Sequence, residues 1–181
     1  MTMGDRIVVM KDGYIQQADT PQNLYDYPCN LFVAGFIGAP QMNFIDATIE
    51  KKNEQYYVKF LEYSFEIPKE KGDAQTFEKY VGRPIVLGIR PEDIYTEEEA
   101  AEKGFEKATE GMTEIITARE LLGAEVFLYF DEQGRSHTAR MKPENKTRTG
   151  EAGRLYFDPE RIHLFDSDTE ENLFYAEEVR S

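Results

Sequence analysis

The most pointed group of chemistry-bearing residues is the run Leu87-Gly88-Ile89-Arg90-Pro91-Glu92-Asp93. An apolar strand there runs into a proline-fixed turn that carries one guanidinium and two carboxylates. Such a corner can hold an anion, face another subunit, or close a strand end by pairing Arg90 with a neighbouring carboxylate, while Gly88 permits close strand packing. One Arg without a second cation is a weak oxyanion trap, so Arg90, Glu92 and Asp93 read as an interface or regulatory corner and not as a catalytic site. The remaining inventory is sparse. His137 and His163 are two strands apart and cannot assemble a multi-histidine metal centre. His163 alternates with Ile162 and Leu164 and is expected on a strand surface. Cys29 has no histidine near it in sequence to make it a nucleophile. There is no G-x-x-x-x-G-K-[ST] loop, G-x-G-x-x-G turn, H-E-x-x-H pair or paired cysteine spacing. The chain by itself is expected to be non-enzymatic, with no catalytic, cofactor or metal residues.

The elements that must position this corner are mostly short strands. Arg6–Met10, a Lys11-Asp12-Gly13 turn and Tyr14–Gln17 predict a hairpin. Thr20-Pro21 supplies an N-cap followed by a first-turn proline for a short helix that Pro28 stops. A second short helix is expected over Asn30–Ile37, ended by Gly38 and Pro40. Beyond Pro40 the apolar period changes from helical to two, with Ile45, Ala47 and Ile49 on one face. Similar runs at 55–61, 63–67, 84–89, 113–119, 125–130, 136–141, 153–157 and 161–165 predict a β-barrel or sandwich, interrupted by one helix over Ala74–Tyr80. The acid-rich stretches 96–111 and 166–181 are expected to be solvated connections.

Charge narrows the function. With 21 basic against 35 acidic residues the chain carries −14 at pH 7, and no basic stripe is present to hold a phosphate backbone, which argues against nucleic acid. Tyr56-Tyr57-Val58-Lys59-Phe60 is the one approximation to a base-stacking surface, and Glu54 and Glu62 flank it. A single cysteine fits a reducing compartment. Leu31–Pro40, the longest apolar stretch, is far short of the roughly 20 residues of a membrane span, and the start lacks a signal-peptide pattern. A cytoplasmic address is expected.

Several of these segments together resemble a known family. Met3–Met10 with Gly13, Thr20-Pro21, Leu24-Tyr25, Pro28 and Leu31–Phe44 (LFVAGFIGAPQMNF) look like the end of the ATP-binding domain in sugar importers of the ABC superfamily, of the maltose, multiple-sugar and glycerol-phosphate type. Leu87–Asp93 (LGIRPED), Arg119-Glu120-Leu121-Leu122-Gly123 with Glu125, and Arg161–Asp166 (RIHLFD) resemble marks of that group's C-terminal regulatory domain. The resemblance implies that residues 1–39 are the tail of a nucleotide-binding domain and residues 40–181 an OB-like (TOBE) regulatory barrel, in a mainly β fold. It also implies a parent protein that uses ATP and magnesium through Walker, signature and switch-histidine motifs, none of which this sequence contains. One departure is Asp19, where the family commonly has glycine before the Thr-Pro helix start; Asp tolerates turns and caps helices, so the turn is expected to survive.

The function expected from this is a regulatory and dimerisation portion of a carbohydrate importer's ATP-binding subunit, peripheral to the inner face of the cell membrane. Its partners would be a second copy, the permease subunits reached through the ATPase half, and a cytoplasmic regulatory protein. The alternative is a small-ligand or oxyanion-sensing barrel, against which the net charge weighs.

Overall fold

A computed structural model describes residues 5–104 and 109–175 of the chain; Met3-Gly4 and the end of the acidic segment 166–181 lie outside them. The expected hairpin forms as β1 (Ile7–Lys11) and β2 (Tyr14–Asp19), reversed at Asp12 and Gly13. Both turn residues have positive φ, 50° and 83°, the backbone that a tight hairpin of the right twist demands. α1 (Pro21–Asp26) starts as read, with the Thr20 hydroxyl accepting the Asn23 N–H. α2 (Leu31–Phe36) is capped by Asn30, which accepts the Val33 N–H at 2.9 Å. Asp19 keeps the turn without glycine: its carboxylate accepts from the Thr20 N–H at 2.7 Å and from the Asn23 side-chain amide at 2.8 Å.

The rest of the chain is a β structure carrying two short helices. In order come β3 (Asn43–Lys52), β4 (Gln55–Phe60), β5 (Tyr63–Glu66), α3 (Ala74–Tyr80), β6 (Pro84–Ile89), β7 (Ile94–Thr96), α4 (Glu97–Lys103), β8 (Met112–Leu122), β9 (Glu125–Glu132), β10 (Arg135–Met141), β11 (Ala152–Phe157) and β12 (His163–Asp166). Two five-stranded antiparallel sheets result, with strand orders β12-β6-β3-β4-β5 and β10-β9-β8-β11-β7. Alternation decides their faces. Asn43, Ile45, Ala47 and Ile49 of β3 are buried while the residues between them turn outward. Side chains from both sheets, among them Ile45, Leu87, Ile116, Leu128, Phe130 and Leu164, meet in one continuous core. The fold is mainly β, as the sequence implied.

β3 is the middle strand of the first sheet and reaches the second through side chains. Residues 43–48 pair with β6 on one side, and residues 48–52 pair with β4 on the other. The edge of β3 that β4 leaves uncovered is met by side-chain amides. Asn43 donates to the Thr138 carbonyl and accepts the Thr138 N–H, both at 2.8 Å, and Gln133 accepts the Asp46 N–H at 2.7 Å while donating to the Asp46 carbonyl at 3.1 Å. Asn43 is buried, so its two bonds are made where water cannot replace them. Gly88 allows β6 to approach its neighbours. A Cβ there would lie 2.6 Å from Met42 Sδ and 2.9 Å from Phe165 Cε2.

Two expectations are corrected. The acidic stretch 96–111 does not begin as an open connection: β7 extends the second sheet up to Thr96, and α4 (Glu97–Lys103) follows with a full capping box, in which Thr96 accepts the Glu99 N–H and Glu99 accepts the Thr96 N–H. Three glutamates at the helix's positive end are favourable there, so acidity that read as solvation is helix-start chemistry. The segment after Asp166 is likewise no loose tail as far as residue 175. Asn172 is buried, Leu173 donates its N–H to the Leu164 carbonyl at 2.8 Å, and Phe174 packs edge-on against Phe77.

Candidate functional site

The charged corner after β6 lies where the amino-terminal segment meets the β structure. β6 delivers Arg90 to the turn, and Pro91–Asp93 forms one tight 3-10 turn after it. Arg90 is only 2% exposed. Its guanidinium donates to the Tyr25 carbonyl at 2.6 Å and the Ile37 carbonyl at 2.8 Å, and lies flat over the Tyr25 ring, 3.6 Å from its centre. These carbonyls belong to the last turn of α1 and the residue after α2. Both are helix-end groups without a partner in their own helix, so a fork of donors suits them. This corrects the reading of Arg90 as a rim contact to another subunit or a partner for a carboxylate. It fastens one part of the chain to another, and among the described residues it makes no ion pair within 4 Å.

A second fastener closes the same junction from the C-terminal side. Asn172 donates from its side chain to the Pro28 carbonyl at 2.7 Å and from its backbone to the Cys29 carbonyl at 2.9 Å, and the Glu170 carbonyl accepts the Leu31 N–H at 3.0 Å. Apolar contact completes it, with Ala34 packed on Met42 and Phe165. Sequence reasoning missed Asn172 because it sits in an acid-rich run; the Asn-Leu-Phe triplet at 172–174 was the available signal.

Burial sets the charge states of this corner. It pushes the Asp93 carboxyl up to about 6, assisted by the neighbouring Glu92, and pulls the Arg90 guanidinium down to about 10. His163 is 8% exposed, not on the surface as expected, and burial beside Lys71, Arg90 and Arg161 pulls it down to about 3, so it is neutral at pH 7. The alternation of Arg161–Phe165 misled because both faces of β12 are covered: His163, Leu164 and Phe165 are all buried. His137 is buried against Phe130, ring centres 5.4 Å apart, and is lowered by burial. Cys29 donates to the Gln16 carbonyl at 3.3 Å. Among the described residues no group of three His, Cys, Asp or Glu side chains is placed to hold a metal ion, and no helix is long and apolar enough to cross a membrane.

The comparisons with known proteins agree with this architecture. Residues 38–94 match the MalK OB fold domain and residues 87–165 match the TOBE domain, the two together spanning the β structure from before β3 to β12. The chain belongs with the OB-fold and TOBE region of sugar-importer ABC ATP-binding proteins. Among its relatives, the trehalose/maltose import ATP-binding protein MalK of Thermococcus litoralis is 37% identical over 179 residues, covering 96% of this chain and 45% of MalK. The oligosaccharides import ATP-binding protein MsmX of Bacillus subtilis is 36% identical over 170 residues, 94% of this chain and 45% of MsmX. The putative uncharacterized ABC transporter ATP-binding protein YcjV of Escherichia coli K12 is 39% identical over 170 residues, 94% and 44%. The chain thus spans less than half the length of these relatives. A crystal structure of the cytoplasmic molybdate-binding protein ModG superposes with a TM-score of 0.48 at 11% identity, over 67% of this chain and 94% of that one.

Proposed function

We propose that this chain is the non-catalytic regulatory and dimerisation portion of the ATP-binding subunit of a carbohydrate ABC importer, acting at the cytoplasmic face of the membrane. The observation that carries the reading is the clamp: Arg90 and Asn172 lock the hairpin and two helices onto the β structure. Movement imposed on residues 5–39 by a nucleotide-binding half would therefore reach residues 40–175 without slack. The division at residue 39 is one of ancestry; mechanically the two parts work as one.

The outer side of the amino-terminal segment fits such a connection. Val8, Met10, Tyr14, Ile15 and Phe36 are each at least half exposed, an apolar surface that a soluble monomer seldom displays without a partner. More than half of each relative lies outside the matched region, and the nucleotide-binding half of the parent is the occupant we assign to this face. ATP and magnesium would be bound there, and the permease subunits would be reached through it. Pairing with a second copy would use the apolar residues that β8 exposes, Ile115, Leu121 and Leu122, and a regulatory protein would act by biasing the open and closed states of the pair.

The test is a chimera in which residues 5–175 replace the matching region of MsmX, assayed by oligosaccharide uptake in a strain lacking MsmX. Uptake above the empty-vector level, lost when Arg90 is changed to Leu while the protein still accumulates, supports the reading. A chimera that accumulates and hydrolyses ATP but restores no uptake refutes it.

A further inference from the structure

The junction held by Arg90 also contains a hollow whose lining is unusual for so acidic a protein. Two adjoining cavities of about 390 and 320 Å³ lie between the end of α1 and the β structure, both bordered by Asp26, Tyr27, Lys71, Glu160 and His163. Lys71, Arg90 and Arg161 converge on the larger one. Among the described residues none of the three makes an ion pair within 4 Å. Lys71 has the face of the Phe174 ring, 5.7 Å from its centre, and Arg90 has two carbonyls and a ring, with its Nε–H buried and unpartnered. Surface cations in a protein of charge −14 ordinarily find carboxylates. Burial, with repulsion from Arg161, holds the Lys71 ammonium below its usual range although Glu160, Asp158 and Asp93 pull the other way. An anion placed among them would relieve that repulsion.

The acidic lining defines the rest of the ligand. Asp26, Glu92, Asp93 and Glu160 also border the larger cavity, and they would repel a bare anion while accepting hydrogen bonds from hydroxyl groups. Tyr25 and Tyr27 add ring faces, and neutral His163 adds one donor and one acceptor. We propose that this cleft binds a small molecule bearing one phosphate group and several hydroxyls, the chemistry of a phosphorylated sugar, with the phosphate at Lys71 and Arg161 and the hydroxyls at the carboxylates. Because Tyr25, Asp26 and Tyr27 belong to the amino-terminal segment while Lys71, Glu160 and Arg161 belong to the β structure, a ligand there bridges the two and stiffens the junction. The assignment is independent of pairing and of the parent protein, since it rests on the cleft alone.

The experiment is calorimetric titration of the whole chain with glucose 6-phosphate, inorganic phosphate and glucose, followed by amide exchange of residues 25–27. Glucose 6-phosphate is expected to bind, to slow exchange at 25–27, and to weaken about tenfold or more in Lys71→Gln and in Arg161→Gln. Both variants should keep the parental melting temperature, and Lys52→Gln, far from the cleft, should bind as the parent does. Inorganic phosphate and glucose should each bind at least about tenfold more weakly. No glucose 6-phosphate binding up to about 10 mM, or binding that both variants leave intact, overturns the site. Equal affinity for inorganic phosphate overturns the assignment of the hydroxyl contacts.

Discussion

Arg90→Leu removes the guanidinium and leaves a shorter apolar side chain at the end of β6. Two hydrogen bonds donated by a charged group contribute about 1.5–3 kcal/mol each, and a cation stacked on tyrosine adds about 1 kcal/mol. Against them stands the burial that pulls the guanidinium from 12.5 to about 10, a cost of about 3 kcal/mol. The net loss is about 1–4 kcal/mol, with a middle value of about 2–3 kcal/mol, consistent with leaving the Tyr25 and Ile37 carbonyls without their donor in a site 2% exposed. For a chain of this size that lowers the melting temperature by about 5–10 °C. The loss should also be local: amide exchange at Leu24, Val33 and Ala34 should accelerate far more than at Ile85–Ile89, because the β core keeps its own contacts. Arg90→Lys should recover less than half, since one ammonium cannot span both carbonyls. A melting temperature within about 1 °C of the parent, with unchanged exchange at Leu24 and Val33, would refute the clamp.

Other outcomes follow from the same packing. Gly88→Ala should destabilise by about 1–3 kcal/mol, read from urea midpoints, because its Cβ would sit 2.6 Å from Met42 Sδ and 2.9 Å from Phe165. Asn43→Ala should cost about 2 kcal/mol by stripping both partners from Thr138 inside the structure, and exchange at the Thr138 amide should rise first. Burial raises Glu114 to about 7, helped by Glu132 and Glu62, and Asp93 to about 6. Both carboxyls therefore hold protons more tightly folded than unfolded and contribute a fall in stability as pH rises from about 5 to about 8, which the buried His163 and His137, both lowered by burial, oppose below about 6.5 and leave unopposed above it. Glu114→Gln should flatten the upper part of that fall; an unchanged slope in the urea midpoint against pH would count against the assignment.

What the sequence made legible was local and periodic. Thr20-Pro21 and the Asp12-Gly13 turn announce their structures because the interactions that define them lie within four residues. β6 was read at Pro84–Ile89 and α3 at Ala74–Tyr80 with the observed bounds, since apolar spacing and flanking breakers agree there. The misreadings share a cause: the same residue type serves two environments. Arg90 looked like a surface cation because a buried arginine is rare, and only the fold brings carbonyls from residues 53 and 65 positions earlier to it. His163 looked exposed because alternation reports one covered face, whereas β12 is covered on both. Lys71 and Arg161 had no common signal, being 90 residues apart in sequence and joined only by the closure of the cleft.

The central claim, that this chain is a pairing and regulatory module, is tested most directly by its self-association. A charge of −14 opposes pairing, but salt at about 300 mM shortens the range of that repulsion while leaving apolar contact intact. Light scattering across a protein concentration series, at about 20 and about 300 mM NaCl, should show a dimer fraction that rises with both protein and salt and falls when Leu121 and Leu122 are changed to Ser. A strict monomer at both salts up to about millimolar protein, or a dimer that weakens as salt is added, would contradict the account.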